Sequence, residues 1–261
     1  MSRIVACSIL LFCIISHAFS LPAKAPKRSY FEIRVYHFGN QQQENVLDNY
    51  LKNALVPALH RNKIREIGVF KALENDTAAD KKIYVLIPYK SLDQFLEMAG
   101  KLQKDNAYQQ AGSEYINAPY TQPVYTRMET ILLKAFSGMP FLAKPNLDNT
   151  REDNVYELRS YEGHTEKIYQ NKVDMFNKGD EIGLFKRLGF NAVFYGEVVA
   201  GARMPNLMYM TSFNNKQERD AHWKTFIDDS QWKKLSSDPG YQHNVSKIDI
   251  YFLRATDYSD L

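Results

Sequence analysis

Hydrophobic and polar positions alternate along Phe31-Glu32-Ile33-Arg34-Val35-Tyr36, and the pattern returns 125 positions later as Tyr156-Glu157-Leu158-Arg159-Ser160-Tyr161. A period of two predicts a strand with two unlike faces in each place. After the first strand the period lengthens. Leu47, Leu51, Leu55 and Leu59 form one apolar stripe of a helix, with Pro57 expected to kink or locally break its last turns and Asn62 to cap it. Ile67-Gly68-Val69-Phe70 and Ile83–Tyr89 read as antiparallel strands joined by the polar loop Glu74–Asp80. Ser91 and Gln94 make a capping box for a second helix, with Leu92, Phe95, Leu96, Ala99 and Leu102 at helical spacing. Asp105–Tyr120 is irregular or weakly helical, and Val124–Phe136 is a long closing strand. The order is β-α-β-β-α-β, the ferredoxin-like split unit.

Residues 137–154, rich in Gly, Pro and Asn, read as a linker. The plan then repeats. Val155–Tyr161 is a strand, a helix is expected from Thr165 to Leu188 with Gly189 ending it, and Ala192–Val199 with Leu207–Phe213 forms a hairpin. Asn215 and Glu218 cap a helix carrying Trp223, Phe226 and Ile227, and Val245–Thr256 is the last strand. Val69-Phe70 matches Val193-Phe194, Tyr89 matches Phe213 and Asp105-x-x-Tyr108 matches Asp229-x-x-Trp232, all at an offset of 124. Glu129 through Leu133 matches Asp249 through Leu253 at 120. Preserved order and chemistry identify a duplication. The expected fold is α+β: two tandem ferredoxin-like domains, 30–136 and 155–256, whose antiparallel sheets pair as a barrel.

Composition adds a location. Arg3, the apolar run Ile9–Ile15 and the small residues Ala18 and Ser20 form the pattern of a signal peptide over residues 1–20, too short to favour a membrane span. A secreted or periplasmic protein is expected, with no membrane contact after cleavage. Cleavage would lose only Arg3 from the charged residues, so the net charge of +3 would become +2, no footprint for nucleic acid. The two cysteines, Cys7 and Cys13, would leave with the signal, and the core would hold without disulfides.

The paired Phe/Tyr-Glu-Ile/Leu-Arg-x-Tyr strands, Ile67-Gly68-Val69-Phe70, Asp229-x-x-Trp232, and Ser212 ahead of a helix carrying Arg219 resemble the NIPSNAP family of the dimeric α/β-barrel superfamily. The resemblance covers roughly residues 30–256. It implies ferredoxin-like units whose sheets close a barrel, here within one chain. Relatives often pair further, so a homo-oligomer is a possible state. The first half departs from the pattern, with Phe95 near the position of Arg219 and Tyr108 in place of Trp232. Any chemistry of Arg219 is therefore expected in the second half alone. Superfamily relatives include cofactor-free monooxygenases and haem-binding enzymes.

Taken with helices covering the Phe31, Ile33 and Val35 face, the alternation directs Glu32, Arg34, Tyr36, Glu157, Arg159 and Tyr161 into the barrel, joined by Arg127, Glu129, Lys247 and Asp249 from the closing strands. Glu32, Arg34, Tyr36, Arg127, Glu157, Arg159, Tyr161 and Lys247 are the candidate ligand-binding residues. Arginine would anchor a carboxylate, phosphate or enolate, and tyrosine would donate to an oxygen or stack on a ring. The alternative is an ion-pair lattice that fixes register, because charges removed from water must be paired. His37, His60, His164, His222 and His243 show no metal-ligand spacing, although one axial histidine would leave none. No cofactor is assigned, and no glycine-rich phosphate loop or nucleophile elbow is present. The readings are a secreted barrel that binds a small, partly aromatic or acidic molecule, with or without acid–base catalysis; a non-catalytic interaction module; and a haem-binding enzyme.

Overall fold

A computed structural model describes residues 27–261, so the expected signal peptide lies outside the described residues. The first half runs β1 (Tyr30–Phe38), α1 (Gln41–Tyr50), a wide π turn (Leu51–Leu55), α2 (Val56–Arg61), β2 (Gly68–Ala72), β3 (Lys81–Tyr89), α3 (Leu92–Gln103), α4 (Asn106–Ala111), α5 (Ser113–Ile116) and β4 (Arg127–Ala135). The second runs β5 (Val155–Glu162), α6 (Glu166–Asn177), α7 (Glu181–Arg187), β6 (Asn191–Ala200), β7 (Asn206–Phe213), α8 (Lys216–Asp228), α9 (Ser230–Ser237) and β8 (Lys247–Ala255).

One local feature meets expectation and one departs from it, each with a chemical cause. The helix is locally interrupted next to Pro57, as expected, and continues beyond it. Pro57 has no N–H to donate one turn back, and the π turn immediately before it takes up the irregularity. The single helix expected over Thr165–Leu188 is two, because the N–H groups of Lys178 and Gly179 both donate to the Asp174 carbonyl, at 2.6 and 3.0 Å. A Cβ on Gly179 would stand 2.6 Å from the Met175 carbonyl oxygen, so the break requires glycine.

The strands form one closed antiparallel barrel in the order β1-β3-β2-β8-β5-β7-β6-β4. Each half contributes four neighbouring strands. The joints are β2 with β8, where Phe70 faces Ala255, and β4 with β6, where Leu133 faces Val198. An eight-stranded barrel is just wide enough for side chains to fill it. Phe31, Ile33 and Val35 point inward from β1 and meet Leu158, Phe194, Met208 and Met210 from the other half. Phe31 and Phe194 touch across the lumen with ring centroids 5.2 Å apart, and Phe70 meets Tyr156 at 4.7 Å.

This corrects the expected orientation. Glu32, Arg34, Tyr36, Glu157, Arg159 and Tyr161 do not converge in the barrel. They lie on the opposite face, between each sheet and its own helices, where Tyr36 and Tyr161 belong to the two helix-side cores. The close-packed middle of the lumen has neither water nor counter-charges for ionised groups, so Phe31, Ile33 and Val35 go inside, with His37 of the same row at the rim. Arg127 and Lys247 also leave the expected group. Arg127 is paired in register with His37, and Lys247 with Glu162, on the lumen-facing parity. Both stand exposed at the barrel rim, near Glu129 and Asp249.

Candidate functional site

The second half builds its site around Glu157, which is fully buried on β5. Arg159, two residues along the same face, donates Nε to it at 2.6 Å. Helix α8 supplies the remaining donors. Asn215 caps that helix by accepting from the Glu218 N–H at 2.8 Å, which fixes the first turn. From the next turns Arg219 donates Nε and Nη2 at 2.7 and 2.8 Å, and the Trp223 indole N–H donates at 2.9 Å. Positions 219, 223 and 226 lie on one helix face, so the stripe that packs on the sheet begins with an arginine. Burial pushes the Glu157 carboxyl up, and the hydrogen bonds from Arg219 and the charge of Arg159 more than offset it, holding it below its ordinary range.

Arg159 is the hinge of the arrangement. Its guanidinium lies 3.7 Å from the centre of the Trp223 ring, and Nη1 donates to the Tyr161 hydroxyl at 3.0 Å. That hydroxyl also shares a 2.9 Å hydrogen bond with Tyr209, which burial pushes to a raised pKa. Burial lowers the Arg159 pKa, but the neighbouring Tyr209, Tyr161 and Glu157 outweigh it, so the guanidinium stays charged. Beside this chain a second buried pair, Lys172 and Glu181, closes at 2.9 Å.

These groups line a cavity of about 360 Å³ between the sheet and helices α6, α8 and α9. Trp223, Phe226 and Trp232 form its aromatic wall, and Ile227 and Ile248 stand half-exposed at its edge. Both tryptophans of the chain are therefore in this one cavity. No histidine lines it among the described residues, nor do three His, Cys, Asp or Glu side chains converge as a metal cluster among them. His37 sits instead at the barrel rim with Asp80, 2.9 Å away, and His60 pairs with Asp260 at 2.8 Å.

In the first half, Glu32 accepts from Arg34 at 2.5 Å and from the Tyr89 hydroxyl at 2.8 Å. The space that would correspond to the cavity is occupied by rings. Tyr115 stacks on Tyr50 at 3.7 Å, and Tyr125 lies 6.0 Å from Tyr36. At the constant offsets of the repeat, Val245 stands where the first half has Tyr125, and Lys172 where it has Leu47. The duplicate halves share a frame and differ in whether it is filled.

Of the eight sequence candidates, the structure brings Glu157, Arg159 and Tyr161 together. It groups Glu32, Arg34 and Tyr36 on the corresponding face of the other half, and leaves Arg127 and Lys247 apart. Arg219, whose chemistry was expected in the second half alone, reaches across to Glu157 as well as pairing with Asp220 at 2.8 Å. Lys172 and Glu181 were not among the candidates, since neither belongs to a motif recognisable in the sequence.

Residues 156–260 match the NIPSNAP family model. That match makes the second half of the chain similar to the NIPSNAP family. The match spans β5 to β8 and therefore includes every side chain of the cavity. No curated protein matches the chain. Among solved structures, the fold is similar to that of a proposed monooxygenase from Lactobacillus acidophilus NCFM, at 11% identity and a TM-score of 0.58, over 87% of this chain and 94% of that one. A proposed monooxygenase from Fusobacterium nucleatum subsp. nucleatum matches at 7% identity and a TM-score of 0.59, over 87% and 92%. An anthrone oxidase-like protein matches at 10% and 0.53, over 89% and 93%. At such identities the likeness establishes the barrel fold, in which the NIPSNAP-matching residues form one of two halves.

Proposed function

We propose that the protein binds a small aromatic organic acid in the cleft of its NIPSNAP-matching half. The observation that carries this reading is the cavity itself: a wall of two tryptophans beside Arg159, Arg219 and Lys172, in one half of a duplicated chain whose other half is filled at the same place. Glu157 engages both arginines and holds their orientation, while the indole face and the guanidinium edge offer a planar anion a place to stack and a charge to meet. Tyr161, whose oxygen accepts from Arg159 and which lines the cleft, is the group we assign to hydrogen bonding with a bound ligand. This chemistry needs only the side chains of the cleft. The N-terminal signal pattern supports export of the protein to the periplasm or the exterior.

Tryptophan emission tests the proposal without a label, since both tryptophans are in the cleft. Titration with 4-hydroxybenzoate, excited at wavelengths the ligand does not absorb, should quench emission saturably. The neutral 4-hydroxybenzyl alcohol should bind about tenfold or more weakly, the equivalent of one lost charge-assisted hydrogen bond. Arg219→Ala should abolish the quenching while the protein remains folded. Linear, unsaturable quenching by both compounds would remove the case for an acid-binding cleft.

A further inference from the structure

A second cavity, of about 490 Å³, lies far along the chain from the cleft residues, against the first half. Four separate segments meet there: the lead-in to β1, the turn between α2 and β2, the β3–α3 junction, and the connection between the halves. Its floor is apolar and belongs to the fold's interior, with Ile64 and Tyr89 fully packed into the first helix-side core. Phe141 and Leu142 form a wall, and Phe141 is 58% exposed, a large ring left in solvent beside an apolar floor. Phe141, with the half-buried Pro88 and Leu142 beside it, gives the cavity an apolar side open to solvent.

The rim is cationic. Lys27, Lys63, Arg65 and Lys90 line the opening, with Glu66 as the one acidic residue. Among the described residues none of the four cations makes an ion pair; Arg65 donates instead to the His60 carbonyl at 2.8 Å. The turn that presents two of them is held in an unusual backbone, with Lys63 at φ 62° and Glu66 at φ 61°, conformations that non-glycine residues keep only when their surroundings enforce them. Apolar floor and unneutralised positive rim together select an amphiphile with one anionic end.

We propose that this cavity binds a fatty carboxylate of about ten to twelve carbons, its chain against Ile64, Tyr89 and Phe141 and its head group among Lys63, Arg65 and Lys90, by the match of apolar wall and charged rim. The chain's own residues 1–26 are a poor occupant, because they contain no Asp or Glu and carry Arg3 and Lys24 towards a positive rim.

Calorimetric titration of the full chain with laurate below its micellar concentration tests the site. One equivalent should bind, and dodecanol, which lacks the carboxylate, should bind about tenfold or more weakly. The double variant Lys63→Glu/Arg65→Glu, on an exposed turn, should lose laurate binding to the same extent while its thermal unfolding is unchanged. Phe141→Ser should weaken laurate and dodecanol alike. Tryptophan emission should not respond, which separates this site from the aromatic cleft. Absence of binding, equal affinity in the charge-reversed variant, or laurate binding accompanied by tryptophan quenching would overturn the proposal. Photo-crosslinking of a benzoylphenylalanine at position 141 to residues 1–26 would do so too, by showing that the chain covers its own cavity.

Discussion

Glu157→Gln is expected to destabilise the protein by about 3–5 kcal/mol in denaturant unfolding, because it leaves buried arginine charge without its counter-charge. Arg159 and Arg219 both lean on this carboxylate, at 2.6 and 2.7 Å, and the Trp223 indole donates to it as well. The amide keeps the shape and one acceptor oxygen but none of the charge. The same change at Glu32 is expected to cost less, since only Arg34 and the Tyr89 hydroxyl depend on it. A pH signature accompanies the loss. The Glu157 carboxyl is depressed below its ordinary value of 4.5 in the folded protein, so its contribution is fully present above about pH 4.5 and disappears as the pH falls through the folded value. Wild-type stability should therefore decline below that point, and Glu157→Gln should flatten this part of the profile. A variant within 1 kcal/mol of wild type, with the acid limb intact, would mean that the carboxylate does not hold the two arginines.

Phe194→Ala is the second large effect, about 3–5 kcal/mol for a fully buried ring. Phe194 fills the lumen against Phe31, which comes from the other half, so the cavity left behind also loosens the contact between halves. A barrel with a charged, watered interior would behave differently. There the truncation would cost roughly the transfer energy of an exposed ring at most, because water would occupy the space. Equilibrium unfolding by guanidinium measures the difference directly, and a cost below about 1 kcal/mol would contradict a dry, packed lumen.

The fold was legible because it is written twice. The repeated Glu-x-Arg-x-Tyr strand, the constant offsets and the change of period from two to four place eight strands in order with few errors, and those errors lie where short-range chemistry decides. Asn177-Lys178-Gly179-Asp180 breaks a helix that its apolar spacing alone would continue. The direction of the charged rows was not legible from alternation, which fixes the period of a strand but not which of its faces a neighbouring layer covers. What decides is the capacity of each side to satisfy a charge. The packed middle of the lumen is apolar, while the helices bring Arg219 and Trp223 to the sheet.

That second fact was present in the sequence. Arg219, Trp223 and Phe226 share one face of a helix whose apolar residues must pack on a sheet, so the sheet face beneath them needed a carboxylate. The closing strands misled for a different reason. Arg127 and Glu129 look like a continuation of the charged row, but their register pairs them with His37 and Val35, and paired residues point the same way. Register is a property of the assembled sheet. The cavity itself depends on absences, a valine at 245 and a lysine at 172 in place of the ring and the leucine of the first half, and these acquire meaning only when the halves are superposed by their offsets.

The measurement that bears most directly on this account is a proton–nitrogen and methyl NMR titration with 4-hydroxybenzoate. The Trp223 and Trp232 indole signals report on the cleft, and the methyls of Met208 and Met210, both buried in the barrel interior, report on the lumen. The account predicts that the two indole signals move with a common saturation curve while the two methyls stay where they are. Movement of the Met208 and Met210 methyls with stationary indoles would put the ligand inside the barrel and contradict it.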